Sequence, residues 1–179
     1  MQDPVKSAIF FTSIFPTILA SVLGFSAINA MAGGNQKITF EDTKTGQPLK
    51  ISSELFNTEQ AKKFASTGQN PYIGNKNAIA EGKKLYHLYS CNQCHGSNAQ
   101  GQTAYGITGP KYNHAKSAND KGMFEIIWAG TNGGMSGKGK GMMDPNDPKA
   151  GLSPDEALKV IAWIRSQGDG GQGGGTPRY

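Results

Sequence analysis

Cys91-Asn92-Gln93-Cys94-His95 constrains this chain more than any other feature. The pentapeptide reads C-x-x-C-H, the pattern of covalent c-type haem attachment. Two thiols three positions apart can each add to one of the two vinyl groups on a single haem edge. The histidine beside them then reaches the iron as proximal axial ligand. On this reading the redox chemistry belongs to one covalent haem c, and the protein sets its potential, access and docking surface. The alternatives are a disulfide between Cys91 and Cys94, or half of a zinc site. The chain has two cysteines, both in the motif, so a zinc site has no second cysteine pair. A thioredoxin-type pair needs a βαβ context that this sequence lacks.

The N-terminus agrees with such a cofactor. Lys6 precedes an apolar, charge-free run from Ala8 to Ala30, closed by Ala30-Met31-Ala32. This is the pattern of a secretory signal peptide over residues 1–32, cut after Ala32 or Ala30. The run is about long enough to span a bilayer, so an uncleaved anchor is the alternative. Pro16 and several Ser and Thr weaken it, and no stable span is expected after processing. Export places the thiols outside the reducing cytosol, in the periplasm.

The net charge is +5. Apart from Lys138 and Lys140 the lysines are scattered, which argues against nucleic-acid binding. Basic charge on a redox carrier fits docking to an acidic partner, or a plain solvated surface.

Three zones follow the signal segment. Residues 33–76 form a polar extension. Lys37-Ile38-Thr39-Phe40 and Leu49-Lys50-Ile51-Ser52 read as two short strands of a hairpin, and Glu59 to Ala65 as a short helix. Residues 77–167 form the haem domain. Its first helix runs from near Asn77 toward Tyr89, with Ile79, Gly82 and Tyr86 at helical spacing. A further helix covers Lys121 to Ala129. The last begins at Ser153-Pro154-Asp155-Glu156, a capping Ser with Pro at the first helical position and Glu three residues on. Ala157, Val160, Ile161 and Ile164 give it an apolar stripe. Gly82 leaves a gap against which Trp163 can pack, crossing the first and last helices. Residues 168–179 are Gly-rich and read as a disordered tail.

One iron position remains for a second ligand. A methionine there raises the potential and favours electron transfer, while an open position points to gas binding or catalysis. Met123 lies in an apolar helix and reads as core. Met135, in a Gly-rich loop, can wrap over a haem face, and Met142 and Met143 lie just ahead of the last helix. The residues alone leave these open. His87 and His114 read as surface residues, His114 with a smaller claim as a distal ligand. Gly109-Pro110 forms a rigid turn that can set a proline carbonyl against the His95 ring N–H within the haem pocket.

The haem domain resembles the class I cytochromes c. The run from Asn70 to Tyr86, Asp120 to Glu125, Leu158 to Arg165 and Phe40 to Gly46 is similar to one subgroup, cytochrome cL. The likeness covers most of residues 37–167. It implies an all-α fold with a small irregular N-terminal extension. It also implies electron acceptance from a pyrroloquinoline-quinone (PQQ) methanol dehydrogenase of methylotrophs, and donation to a smaller cytochrome c. The family's axial methionine sits in a loop matched here by Ala129 to Met135, which favours Met135. Lys138 to Met143 departs from the pattern as a longer loop with two more methionines. The rival readings are a carrier for another periplasmic oxidoreductase, or a haem enzyme or gas sensor with an open iron. No catalytic triad or paired carboxylates stand out.

Overall fold

In the computed structural model, residues 38–168 and the backbone of Thr176–Pro177 are described. The expected signal segment and most of the expected tail lie outside these residues. Among the described residues there are five α-helices: α1 Glu59–Thr67, α2 Lys76–Leu88, α3 Asn92–His95, α4 Asp120–Ala129 and α5 Pro154–Ser166. Strand content is two residues long on each side. Lys111–Tyr112 (β1) pairs in parallel with Thr176–Pro177 (β2). None of the described helices is long and apolar enough to cross a membrane.

Each main helix starts on a side-chain cap. Thr58, Asn75 and Asn119 accept the first free N–H groups of α1, α2 and α4. At α5 the capping box is complete: Ser153 accepts from Glu156 N, and Glu156 accepts from Ser153 N at 2.8 Å. Two orphan donors are thereby satisfied, on the order of 1 kcal/mol of helix stability.

Helices α2 and α5 cross at Gly82. A Cβ there would lie 2.0 Å from the Lys159 carbonyl oxygen and 3.1 Å from Trp163 Cβ. Only hydrogen fits, so the two backbones close directly on each other. The Trp163 ring continues the contact against Tyr86, with centroids 4.3 Å apart. Gly82→Ala must push the helices apart, and we expect a loss of roughly 3 kcal/mol, read as a lowered midpoint in thermal unfolding of the haem-loaded protein.

The extension is irregular rather than a hairpin. Among the described residues the pairing is brief: a bridge joins Glu41 to Pro48, flanked by Leu49 N donating to Phe40 O at 2.8 Å and Asp42 N to Gln47 O at 2.7 Å. Asp42 organises the turn by accepting from Lys44 N at 2.7 Å and Thr45 N at 3.2 Å. What fixes the segment is burial: Phe40 packs 5.5 Å from Phe64 and 5.0 Å from Phe124, with Phe56 stacked alongside at 5.9 Å. Phe64 and Phe124 are wholly buried. Packing of these rings contributes several kcal/mol.

A polar cluster ties the extension and α1 to α5. Asp155 accepts from Thr58 Oγ1 at 2.6 Å and Tyr72 OH at 2.8 Å, and pairs with Lys159 at 3.2 Å. Burial pushes the Asp155 carboxyl up, but these hydrogen bonds and the Lys159 ammonium outweigh it and hold it below its ordinary value. A depressed folded value means stability that is present above the ordinary 3.8 and is lost as pH falls through the folded value. We expect the difference in melting temperature between wild type and Asp155→Asn to hold from neutral pH to about 5 and to close below about 4. A gap that widened in acid would contradict this assignment.

Candidate functional site

Helix α2 delivers the chain to the motif through a C-terminal cap. Ser90 N donates to His87 O at 3.0 Å, and Cys91 N donates to Tyr86 O at 3.0 Å. Ser90 takes the left-handed conformation this cap needs, at φ 59°. The chain then enters the single turn of α3, where His95 N donates back to Cys91 O at 3.0 Å. One turn thus sets Cys91 and Cys94 on one side, with His95 next to them.

Cys91 and Cys94 are not joined by a disulfide. Burial pushes the Cys91 thiol up to about 11. Among the described residues no group of three or more His, Cys, Asp or Glu gathers to hold a metal ion.

The loop after the motif folds back on it. Gly101 N donates to His95 O at 2.8 Å and Ala104 N to Cys94 O at 2.9 Å. This return carries the Tyr105 carbonyl oxygen to 2.9 Å from His95 Nδ1. The expected acceptor for that nitrogen was the Gly109-Pro110 turn. In the structure the Tyr105 carbonyl stands there instead, on a loop that doubles back before the turn is reached. Gly109 and Pro110 are not among the residues lining the cavity described next; Gly109 packs on the Tyr112 ring. With Nδ1–H donating to a carbonyl, the His95 Nε2 lone pair is left for a metal.

Cys91, Cys94, His95 and Met135 all open on one cavity of about 680 Å³. This lies within the usual range for cofactor pockets. Much of the rest of its lining is apolar and comes from α4 and α5: Met123, Ile126, Ile127, Val160 and Ile164. Tyr86 also lines it, wholly buried, with its hydroxyl donating to Gly96 O at 2.8 Å. Burial raises the phenol well above its ordinary value, so it stays a neutral donor. Two thiols, an oriented imidazole and a thioether on one apolar cavity fit a covalently bound haem with two axial ligands.

Met142 and Met143 do not line this cavity. Their N–H groups both donate to Gly139 O, in a turn pinned by a bridge between Gly139 and Leu152. Met142 borders a separate groove with Leu49 and Trp128 instead. His87 lies on the exposed face of α2, whereas His114 borders the haem-sized cavity while exposed itself.

Some participants had no local signal. Thr43, from the extension, lines the cavity. So do Tyr112 and Ser117, behind which lies Arg165, only 2% exposed. Its guanidinium donates to Tyr112 OH, to Ser117 O at 2.9 Å and to Asp120 Oδ1 at 3.2 Å. The pairing of a charged residue on α5 with others outside its helix is not encoded in any short run of residues.

A helical domain with α2 crossing α5, and a C-x-x-C-H turn opening on an apolar cavity, defines a c-type cytochrome of class I. The chain matches the family described as Cytochrome c over residues 79–168. It is 32% identical over 157 residues to cytochrome c-L of Methylorubrum extorquens, covering 86% of this chain and 74% of that one. The crystal structure of cytochrome CL from the marine methylotrophic bacterium Methylophaga aminisulfidivorans superposes with a TM-score of 0.61 at 32% identity, covering 73% of this chain and 81% of the other. That of cytochrome cL from Hyphomicrobium denitrificans gives 0.60 at 33%, covering 72% and 73%. The chain belongs to the cytochrome c family, in its cytochrome c-L branch. It is accordingly an electron-transfer protein rather than an enzyme, and carries covalently bound haem c.

Proposed function

We propose that this is a periplasmic mono-haem cytochrome that takes single electrons from a PQQ-dependent methanol dehydrogenase and passes them to a smaller cytochrome c. Cys91 and Cys94 form the thioether bonds, His95 is the proximal ligand and Met135 the distal one. The observation that carries the reading is the convergence of these four side chains on one cavity, in a chain whose relatives are named cytochrome c-L, one of them from a methylotroph.

Haem c, when bound, supplies a one-electron ferric–ferrous couple. The protein's contribution is static. The Tyr105 carbonyl holds the imidazole in one tautomer and strengthens its donor nitrogen. The soft thioether of Met135 favours ferrous iron. The apolar walls from α4 and α5 keep water away and disfavour the extra charge of the oxidised state. Transfer of an electron requires no acid or base at the site. Tyr105, 65% exposed and on the cavity rim, marks a side where a partner can approach.

Stopped-flow mixing with purified methanol dehydrogenase and methanol tests this. The haem should be reduced by one electron per chain and reoxidised by a smaller ferric cytochrome c. No reduction at saturating dehydrogenase would rule out the partner and leave a carrier for some other periplasmic oxidoreductase.

A further inference from the structure

The loop from Gly130 to Ser136 is closed at its base. Gly130 and Ser136 bridge, and Thr131 N donates to Met135 O at 2.9 Å. Gly130, at φ 81°, brings its Cα so near that a Cβ would meet the Met135 carbonyl at 2.2 Å. The position of Met135 is therefore coupled to the backbone of Gly130. That backbone is gripped from outside the haem domain. Thr43 Oγ1, 87 residues earlier in the chain, donates to the Gly130 carbonyl oxygen. Its neighbour Lys44 accepts from Asn132 Nδ2 at 3.1 Å. The gripping turn is itself anchored: Glu41 N donates to the buried Glu125 at 2.9 Å, Glu41 pairs with Lys116 at 2.7 Å, and Phe40 lies in the core.

We infer that the N-terminal extension is a latch for the axial-methionine loop, with Thr43 as the positioning residue that holds Met135 over the iron. This rests on Met135 being the distal ligand. Thr43 ligates nothing; its hydroxyl fixes the base of the loop, and the anchored turn resists the loop's opening. A distal methionine must leave before any outside ligand can bind the iron, so the latch sets how readily the sixth position opens. It gives the extension a task in keeping with a carrier, which works best with a closed iron.

Imidazole binding to the ferric, haem-loaded full chain reads this directly. Thr43→Val removes the hydroxyl at nearly constant shape, and imidazole should bind roughly fivefold more tightly, the order expected for one lost hydrogen bond. Thr43→Ser keeps a hydroxyl and should match wild type. In a Met135→Ala background the loop has no ligand to hold, and Thr43→Val should change nothing further. The inference is overturned if Thr43→Val binds imidazole as wild type does. It is also overturned if the effect persists in the Met135→Ala background, since Thr43 would then act on the cavity itself. If Met135→Ala alone fails to tighten imidazole binding, the assignment of Met135 as ligand falls, and the latch with it.

Discussion

A chain carrying both Cys91→Ser and Cys94→Ser should give up nearly all of its haem to acid–acetone extraction, where the wild type keeps nearly all. This is the largest effect expected of any substitution here, because it removes both covalent links at once. Each single variant should keep one thioether and so retain haem through extraction, with a visible spectrum shifted by the one remaining vinyl group. His95 N–H geometry and the apolar cavity are untouched by either change, so the double variant still offers a haem site, but a reversible one. Equal retention of haem by wild type and double variant would remove Cys91 and Cys94 from the assignment.

Met135→Ala is the second. The thioether leaves the cavity, and no residue of the Met142–Met143 turn is positioned to replace it, since that turn is pinned to Gly139 and Met142 borders another groove. The reduction potential should fall by a sizeable part of the roughly 0.8 V over which axial ligands set haem potentials. Carbon monoxide, excluded from the ferrous wild type, should bind the variant readily. Met142→Ala and Met143→Ala should leave both properties as they are. Met123 borders the cavity as well, but it is nearly buried on α4 amid core side chains, where removing it leaves a void costing about 2–5 kcal/mol rather than an open iron.

The sequence announces its local chemistry well and its long-range chemistry poorly. C-x-x-C-H specifies a cofactor because attachment is written within five residues. The start of α5 is legible because a capping box spans only Ser153 to Glu156. Gly82 and Trp163 were readable as a pair because a missing side chain and an oversized one imply each other across a crossing. Two short strands around 37–40 and 49–52 were expected, yet the pairing stays confined to the residues around the Glu41–Pro48 bridge, and Phe40 is held by the aromatic core. The proline carbonyl expected on His95 gave way to Tyr105, since the path of a loop depends on hydrogen bonds such as that from Ala104 N to Cys94 O. Thr43 and Arg165 were illegible for a different reason. Their partners lie tens of residues away, and neither a lone threonine nor a helix arginine distinguishes itself by composition.

The extension also gains a physical meaning it lacked as sequence. As residues 33–76 it looked like a polar appendage. Folded, it buries Phe40 and Phe56, sends Thr58 and Tyr72 to Asp155, and reaches the methionine loop through Thr43. Its deletion should therefore impair both the stability of the domain and the closure of the iron.

The central claim is that His95 and Met135 together close one haem iron in an electron carrier. The weak far-red absorption band of methionine sulfur bound to ferric haem tests it most directly. The account predicts the band in the wild type at neutral pH, its retention when Met142 and Met143 are both changed to Ala, and its loss in Met135→Ala. A wild-type protein without the band, or a Met135→Ala protein that keeps it, would contradict the account.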